Sequence, residues 1–185
     1  MKLIVEGTPL KDLKIINIDY FKDHRGFFIE PWHKKDFARA GIRENFIQDS
    51  LSRSKKGVIR GLHYQDSTAP MPKLIWCTKG KVFYVALDIR SSSPTFSNWF
   101  GLELSEENKL ELLVPTGFAI GMATLSNWVD LNYKQAGFYT PSAGKTILWN
   151  DPDIGINWPK IKRPILSEKD RKGMTWKTYL KNPDF

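Results

Sequence analysis

Residues 57–65, GVIRGLHYQ, hold the side chains best suited to chemistry in this chain. Apolar and polar positions alternate, so the segment reads as a strand. Arg60 stands three residues before His63, about 10 Å away along a strand at ~3.3 Å per residue. A guanidinium binds an anionic group. An imidazole, with a reference pKa of about 6.5, moves protons at neutral pH. The pair suits a substrate anchored by its charge at one end and deprotonated at the other. His63 is one of three histidines, with His24 and His33. A lone strand histidine is more often packed than catalytic, so the assignment depends on the rest of the chain.

Several chemistries lack their residues. A histidine-rich metal site needs clusters such as H-x-H with a carboxylate. His63 has no histidine within two residues, and none follows it. There is no GxxxxGK[ST] or GxGxxG loop and no G-x-S-x-G elbow, so Walker, Rossmann and serine-hydrolase readings have no support. The single cysteine, Cys77, cannot form an internal disulfide and reads as a buried structural thiol. What remains is metal-free acid–base chemistry, with tyrosines available as acids and lysines to stabilise an anion.

The elements that must position these groups are mostly short strands. Strand-like runs fall at 14–18, 26–30, 58–63, 73–77, 81–89, 98–104, 110–114, 119–125, 129–134 and 146–149. Lys79-Gly80 fits a tight hairpin, and 91–94 and 115–117 mark further loops. Only 34–40, stopped by Gly41, has a clear helical pattern. Ser167 is a candidate N-cap for a short helix with Asp170 at its third position. Many short strands at regular spacing predict an antiparallel sandwich or barrel, all-β with short peripheral helices. Residues 1–185 read as one domain with a short helical tail at about 167–185.

Composition narrows the partners. No apolar run approaches the ~20 residues of a membrane helix, and the apolar stretch after Met1 is too short for a signal peptide. With the unpaired cysteine, this predicts a cytoplasmic protein and no membrane partner. The net charge of +8 raises nucleic acid as a partner. Yet the basic residues are interspersed with acidic ones, and a phosphorylated small molecule accounts for the surplus without nucleic acid.

Seven blocks occur in order: DHRGFFIE (23–30), FIQDSLSRSKKGVIRGLHYQ (46–65), ALDIRSSSPTF (86–96), VPTGFAIGMATLS (114–126), NYK (132–134), ILWNDPDIGINWP (147–159) and LSEKD (166–170). Together they resemble the dTDP-4-dehydrorhamnose 3,5-epimerase family across nearly the whole chain. The resemblance implies a cupin-like jelly roll, a homodimer, no metal and no organic cofactor. It implies a nucleotide-diphosphate sugar substrate, a 4-keto-6-deoxyhexose whose ketone acidifies C3 and C5. On the family's motifs His63 falls on the base, Asp170 on its carboxylate partner, Tyr133 on the acid across the sugar and Lys73 on the enolate-stabilising group. Arg25 and Arg60 fall on diphosphate ligands. Phe27, Glu30, Gln48 and Ser50 lie in nucleotide-contacting blocks, and Tyr139 and Lys169 on substrate-side positions.

Three positions depart from the family's pattern. Ile120 stands where histidine is usual, Ser50 where asparagine is usual and Gly144 where glutamate is usual. The proton-transfer set is complete while the recognition set is altered. The expected activity is inversion at C3, C5 or both. Alternatives are a single-centre enzyme on a CDP- or GDP-linked or 3-deoxy sugar, and a catalytically silent sugar-nucleotide-binding cupin. Ile120 would pack against a less polar substrate carbon and leave no polar group unpaired.

Overall fold

Period-two alternation and frequent turn residues resolve into strands joined by short loops in a computed structural model that describes residues 2–185. The strands are β1 (Leu3–Gly7), β2 (Lys14–Ile18), β3 (Phe21–Asp23), β4 (Gly26–Phe28), β5 (Gln48–Lys55), β6 (Ile59–Gln65), β7 (Lys73–Lys79), β8 (Lys81–Asp88), β9 (Trp99–Ser105), β10 (Glu111–Val114), β11 (Phe118–Thr124), β12 (Trp128–Gln135) and β13 (Gly144–Thr146). Three short α-helices accompany them, α1 (Lys34–Arg39), α2 (Glu168–Arg171) and α3 (Trp176–Lys181), with one 3₁₀ turn at Pro141–Ala143. One sheet has the order β1-β2-β10-β7-β12-β5 and a second the order β13-β6-β11-β8-β9, while β3 and β4 form a separate hairpin. The pairings within both sheets are antiparallel. This is the jelly-roll sandwich expected from the strand pattern and the family resemblance.

Strand β8 shows why the sandwich has further layers. Val82, Tyr84 and Ala86 face the interior with Ile120 and Met122 of β11 and Ile75 and Leu131 of the opposite sheet. Val85 and Leu87, on its other face, are covered by Trp176, Tyr179 and Ile154 from the C-terminal segment. A strand apolar on both faces needs cover on both, at ~1.5–3 kcal/mol for each large side chain buried. The outer face of the six-stranded sheet is sealed in part by Phe37 of α1 and by Ile42, which pack with Ile16, Leu74 and Leu113. No helix among the described residues is long and apolar enough to cross a membrane.

The structure corrects the element reading at identifiable places. Lys79-Gly80 is not a hairpin, because β7 and β8 lie in different sheets. Gly80, at φ +70°, is the corner where the chain crosses between sheets, and a Cβ there would lie 2.1 Å from the Trp128 carbonyl oxygen. Strand β5 was not foreseen. Its sequence, QDSLSRSK, lacks the β-branched and aromatic residues that mark strands, and it lies at a sheet edge. Strands β1 and β3 were also missed, and β13 ends at Thr146, where the expected run began.

Candidate active site

Arg60 and His63 could not both face one cavity on a regular strand, because side chains three residues apart point to opposite faces. A bulge removes the difficulty. Ile120 pairs with His63 and Met122 with Arg60, so three steps on β6 oppose two on β11. Gly61 sits inside this irregularity at φ +124°, where a Cβ would lie 2.5 Å from Gly121 Cα and 2.7 Å from the Ile120 oxygen. Only glycine fits. As a result Arg60 and His63 both line one cavity of about 250 Å³ between the sheets.

Asp170 meets His63 from the far end of the sequence. His63 Nε2 lies 2.5 Å from Asp170 Oδ1. The same carboxylate accepts from the Gly61 amide at 3.1 Å and from the Ser167 hydroxyl at 2.6 Å. Ser167 is the N-cap of α2, accepting from the Asp170 amide at 3.1 Å. The cap assigned from sequence therefore exists, and it fixes the orienting carboxylate. Asp170 is 2% exposed. Burial alone would raise its pKa, but the hydrogen bonds from His63, Ser167 and Gly61 outweigh burial and hold it at about 2. An ionised Asp170 accepts only, so Nε2 carries the proton it shares. Nδ1 of the neutral ring is then the free base.

The opposite sheet supplies the facing groups. Lys73 opens β7 and Tyr133 lies on β12, and both line the cavity with His63. Lys73 Nζ has no hydrogen-bond or ion-pair partner among the described residues. Burial lowers its pKa to about 8. Tyr133 Oη lies 3.3 Å from Ser52 Oγ, and burial raises its pKa. Arg60 gives its Nε hydrogen to Ser54 Oγ at 3.0 Å, which aims its guanidinium without neutralising it. Ser50 lines the wall on β5 and donates to Gln135 Oε1 at 2.8 Å, with Gln48 Nε2 3.4 Å from its hydroxyl. No carboxylate lines the cavity, so its cations favour an anionic ligand.

Other expected residues lie elsewhere. Tyr139 Oη and Lys169 Nζ converge on Gly144, 3.5 and 3.6 Å from where its Cβ would stand. The loop carrying Tyr139 is pinned by Gln65, which bonds the Phe138 oxygen and the Thr140 amide. Neither Tyr139 nor Lys169 lines the cavity itself. Arg25 and Phe27 line a different hollow on the β3–β4 hairpin, and Glu30 follows that hairpin. Arg25 is ion-paired with Asp23 at 2.6 Å. Within one chain the hairpin does not join the His63 cavity.

The structure adds Ser52, Tyr84, Met122 and Gln135 to the lining. Ser52 had a legible signal, lying two residues from Ser50 on a run of alternating serines. Tyr84 and Met122 had none, because a core position and a cavity floor share the same alternation. Ile120, directly opposite His63, forms an apolar wall. Cys77 is buried, and burial pushes its thiol up to about 11, as a structural thiol requires.

An imidazole on one sheet faces a phenol and an ammonium on the other, groups able to take a proton, return one and steady an oxyanion. The family model described as dTDP-4-dehydrorhamnose 3,5-epimerase matches residues 7–178. A dTDP-4-dehydrorhamnose 3,5-epimerase from Salmonella typhimurium is 46% identical over 169 residues, 91% of this chain and 92% of the relative. One from Pseudomonas aeruginosa is 45% identical, over 89% and 91%. A dTDP-6-deoxy-D-glucose-3,5-epimerase from Legionella pneumophila, solved with dTDP-4-keto-L-rhamnose, superposes with TM-score 0.90 at 41% identity, over 94% of this chain and 93% of that one.

Proposed function

The chain belongs to the dTDP-4-dehydrorhamnose 3,5-epimerase family, and on that premise we propose that its cavity epimerises a dTDP-linked 4-keto-6-deoxyhexose with His63 as base. The protein is a carbohydrate epimerase, an isomerase of nucleotide-linked 4-keto-6-deoxy sugars. The observation that carries the residue roles is the His63–Asp170 pair set across the cavity from Tyr133 and an unpartnered Lys73.

The steps follow from those positions. Arg60 anchors the diphosphate through a guanidinium fork. His63 Nδ1 takes the proton from the carbon beside the ketone. The electron pair moves onto the ketone oxygen, and Lys73 stabilises the enolate, an effect worth ~10²–10³ in rate for a comparable donor. Tyr133 returns a proton to the opposite face. Its phenolate is then steadied by the Ser52 hydroxyl and the nearby Arg60 charge.

The hairpin supports a homodimer. Phe21, Phe27 and Phe28 are 68%, 57% and 61% exposed, an apolar patch on a ribbon hydrogen-bonded to neither sheet. Strand β5, which carries Ser50 and Ser52 into the cavity wall, is an open sheet edge. A second copy's hairpin laid along this edge would bring Arg25, Phe27 and Glu30 to the nucleotide end of the site. A free buried Cys77 suits the cytoplasm.

Proton NMR of dTDP-4-keto-6-deoxyglucose in deuterium oxide tests the reading. The protein should wash deuterium into C3, C5 or both. His63→Asn should slow this by ~10²–10⁴ while leaving dTDP binding intact. Wash-in by the variant at the unaltered rate would remove His63 from the role. The same spectra separate two readings: Ile120 opposite His63 favours one deuterium per product, and two would make Ile120 a neutral replacement.

A further inference from the structure

We infer that Tyr84 is a further substrate-contacting residue, whose phenol gives a hydrogen bond to an oxygen of the bound sugar. This rests on the cavity being the sugar site. Tyr84 projects inward from β8, an interior strand of the five-stranded sheet, and lines the same cavity as His63, Lys73 and Tyr133. It is 2% exposed, and its hydroxyl has no hydrogen-bond partner among the described residues.

The hydroxyl opens into the cavity, and a donor cut off there from both water and an acceptor costs free energy that native proteins rarely leave uncompensated. In the empty cavity, water can serve. A sugar that fills the cavity displaces that water, and the phenol must then find an oxygen on the ligand. Its neighbours along the floor, Met122 and Ile120, offer no oxygen acceptor, only a weakly accepting thioether. Ser52 is engaged with Tyr133, and the Gln135 amide oxygen with Ser50. Lys73 is a donor with no acceptor of its own. The cavity therefore presents two unpaired donors, one from each sheet, and the ligand it fits carries an acceptor oxygen toward each. One is the ketone or enolate oxygen on Lys73. The other falls to Tyr84.

Tyr84→Phe deletes the hydroxyl and keeps the ring that packs in the core. The affinities of dTDP and dTDP-glucose, measured by calorimetry on both proteins, isolate the sugar contact without requiring turnover. The variant should bind dTDP as the parent does and dTDP-glucose ~10-fold more weakly, with KM for the 4-keto sugar rising in step and kcat little changed. Equal affinities for dTDP-glucose would overturn the inference. So would parallel losses for dTDP and dTDP-glucose, which would mean the cavity had collapsed. A fall in kcat alone would also overturn it, since Tyr84 would then act through Tyr133. Absence of deuterium exchange in the parent would refute the epimerase reading, whereas exchange with an unaltered Tyr84→Phe variant would refute only this one.

Discussion

A carboxyl held at about pKa 2 keeps its charge throughout the working range and fixes the tautomer of the imidazole beside it. Lys73 has the opposite character, because its charge is lost near pH 8. Its folded pKa of about 8 lies below the ordinary 10.5. The unfolded chain therefore binds the proton more tightly, and this group's contribution to stability rises with pH between those values. On the role proposed for Lys73, activity moves the other way, since only its ammonium form can stabilise the enolate. A kcat profile should show an alkaline limb near pH 8 with no loss of fold, checked by circular dichroism over the same range. Tyr133 cannot produce that limb, as burial moves its pKa upward from 10. In Lys73→Met the limb should vanish along with ~10²–10³ of the rate. An unchanged limb in that variant would assign it to another group. At this scale most of the cavity was legible. His63, Lys73, Tyr133, Arg60, Ser50 and Ile120 all line it, as expected from the family blocks. Tyr84 was not legible, because nothing in a strand's alternation separates a residue under a cavity from one under another side chain.

Elements explain why these residues meet. The bulge at Gly61 turns a three-residue spacing that should split Arg60 from His63 into one that unites them. A spacing measured along a strand gave the distance but not the face. The edge strand β5 went unread because its serines resemble a loop, yet two of them build the cavity wall. Helix α2 was read from its cap alone, and the capping serine also bonds the Asp170 carboxylate. Ser167→Ala should cost ~1 kcal/mol of stability through the lost cap. It should also lower kcat, by less than His63→Asn does, because Asp170 loses its 2.6 Å bond from the hydroxyl. Thermal melting and steady-state kinetics read the two effects separately. A normal kcat with a lowered melting point would show that the cap only holds the helix.

At the scale of the molecule, the hairpin and the cavity pose one question of geometry. If the β3–β4 ribbon completes the site of a second copy, Arg25→Ala and His63→Asn disable different halves of one shared site. Subunits of both kinds, mixed and allowed to exchange, would pair at random, and about a quarter of the sites would carry both intact residues. Activity of two poorly active parents should then recover toward that fraction, measured by the same deuterium assay. No recovery after coexpression would place the hairpin's contribution within its own chain. The two-sheet architecture was legible from the strand count and spacing. The sheet assignment at Lys79-Gly80 was not, because a glycine corner between sheets and a tight hairpin within one sheet share the same residues.

His63 and Asp170 stand 107 positions apart, and the second lies on a helix that follows the last strand. The ribosome makes the base long before the group that orients it. At ~5–20 residues per second, about 5–20 s of synthesis separate the two. Both sheets can begin to pair in that interval, but the imidazole has no fixed tautomer until α2 emerges and docks. A nascent or prematurely terminated chain could therefore fold much of its sandwich and bind a nucleotide sugar without reacting with it. Competence for catalysis arrives only once α2 has emerged, which ties the onset of activity to synthesis well past the last strand.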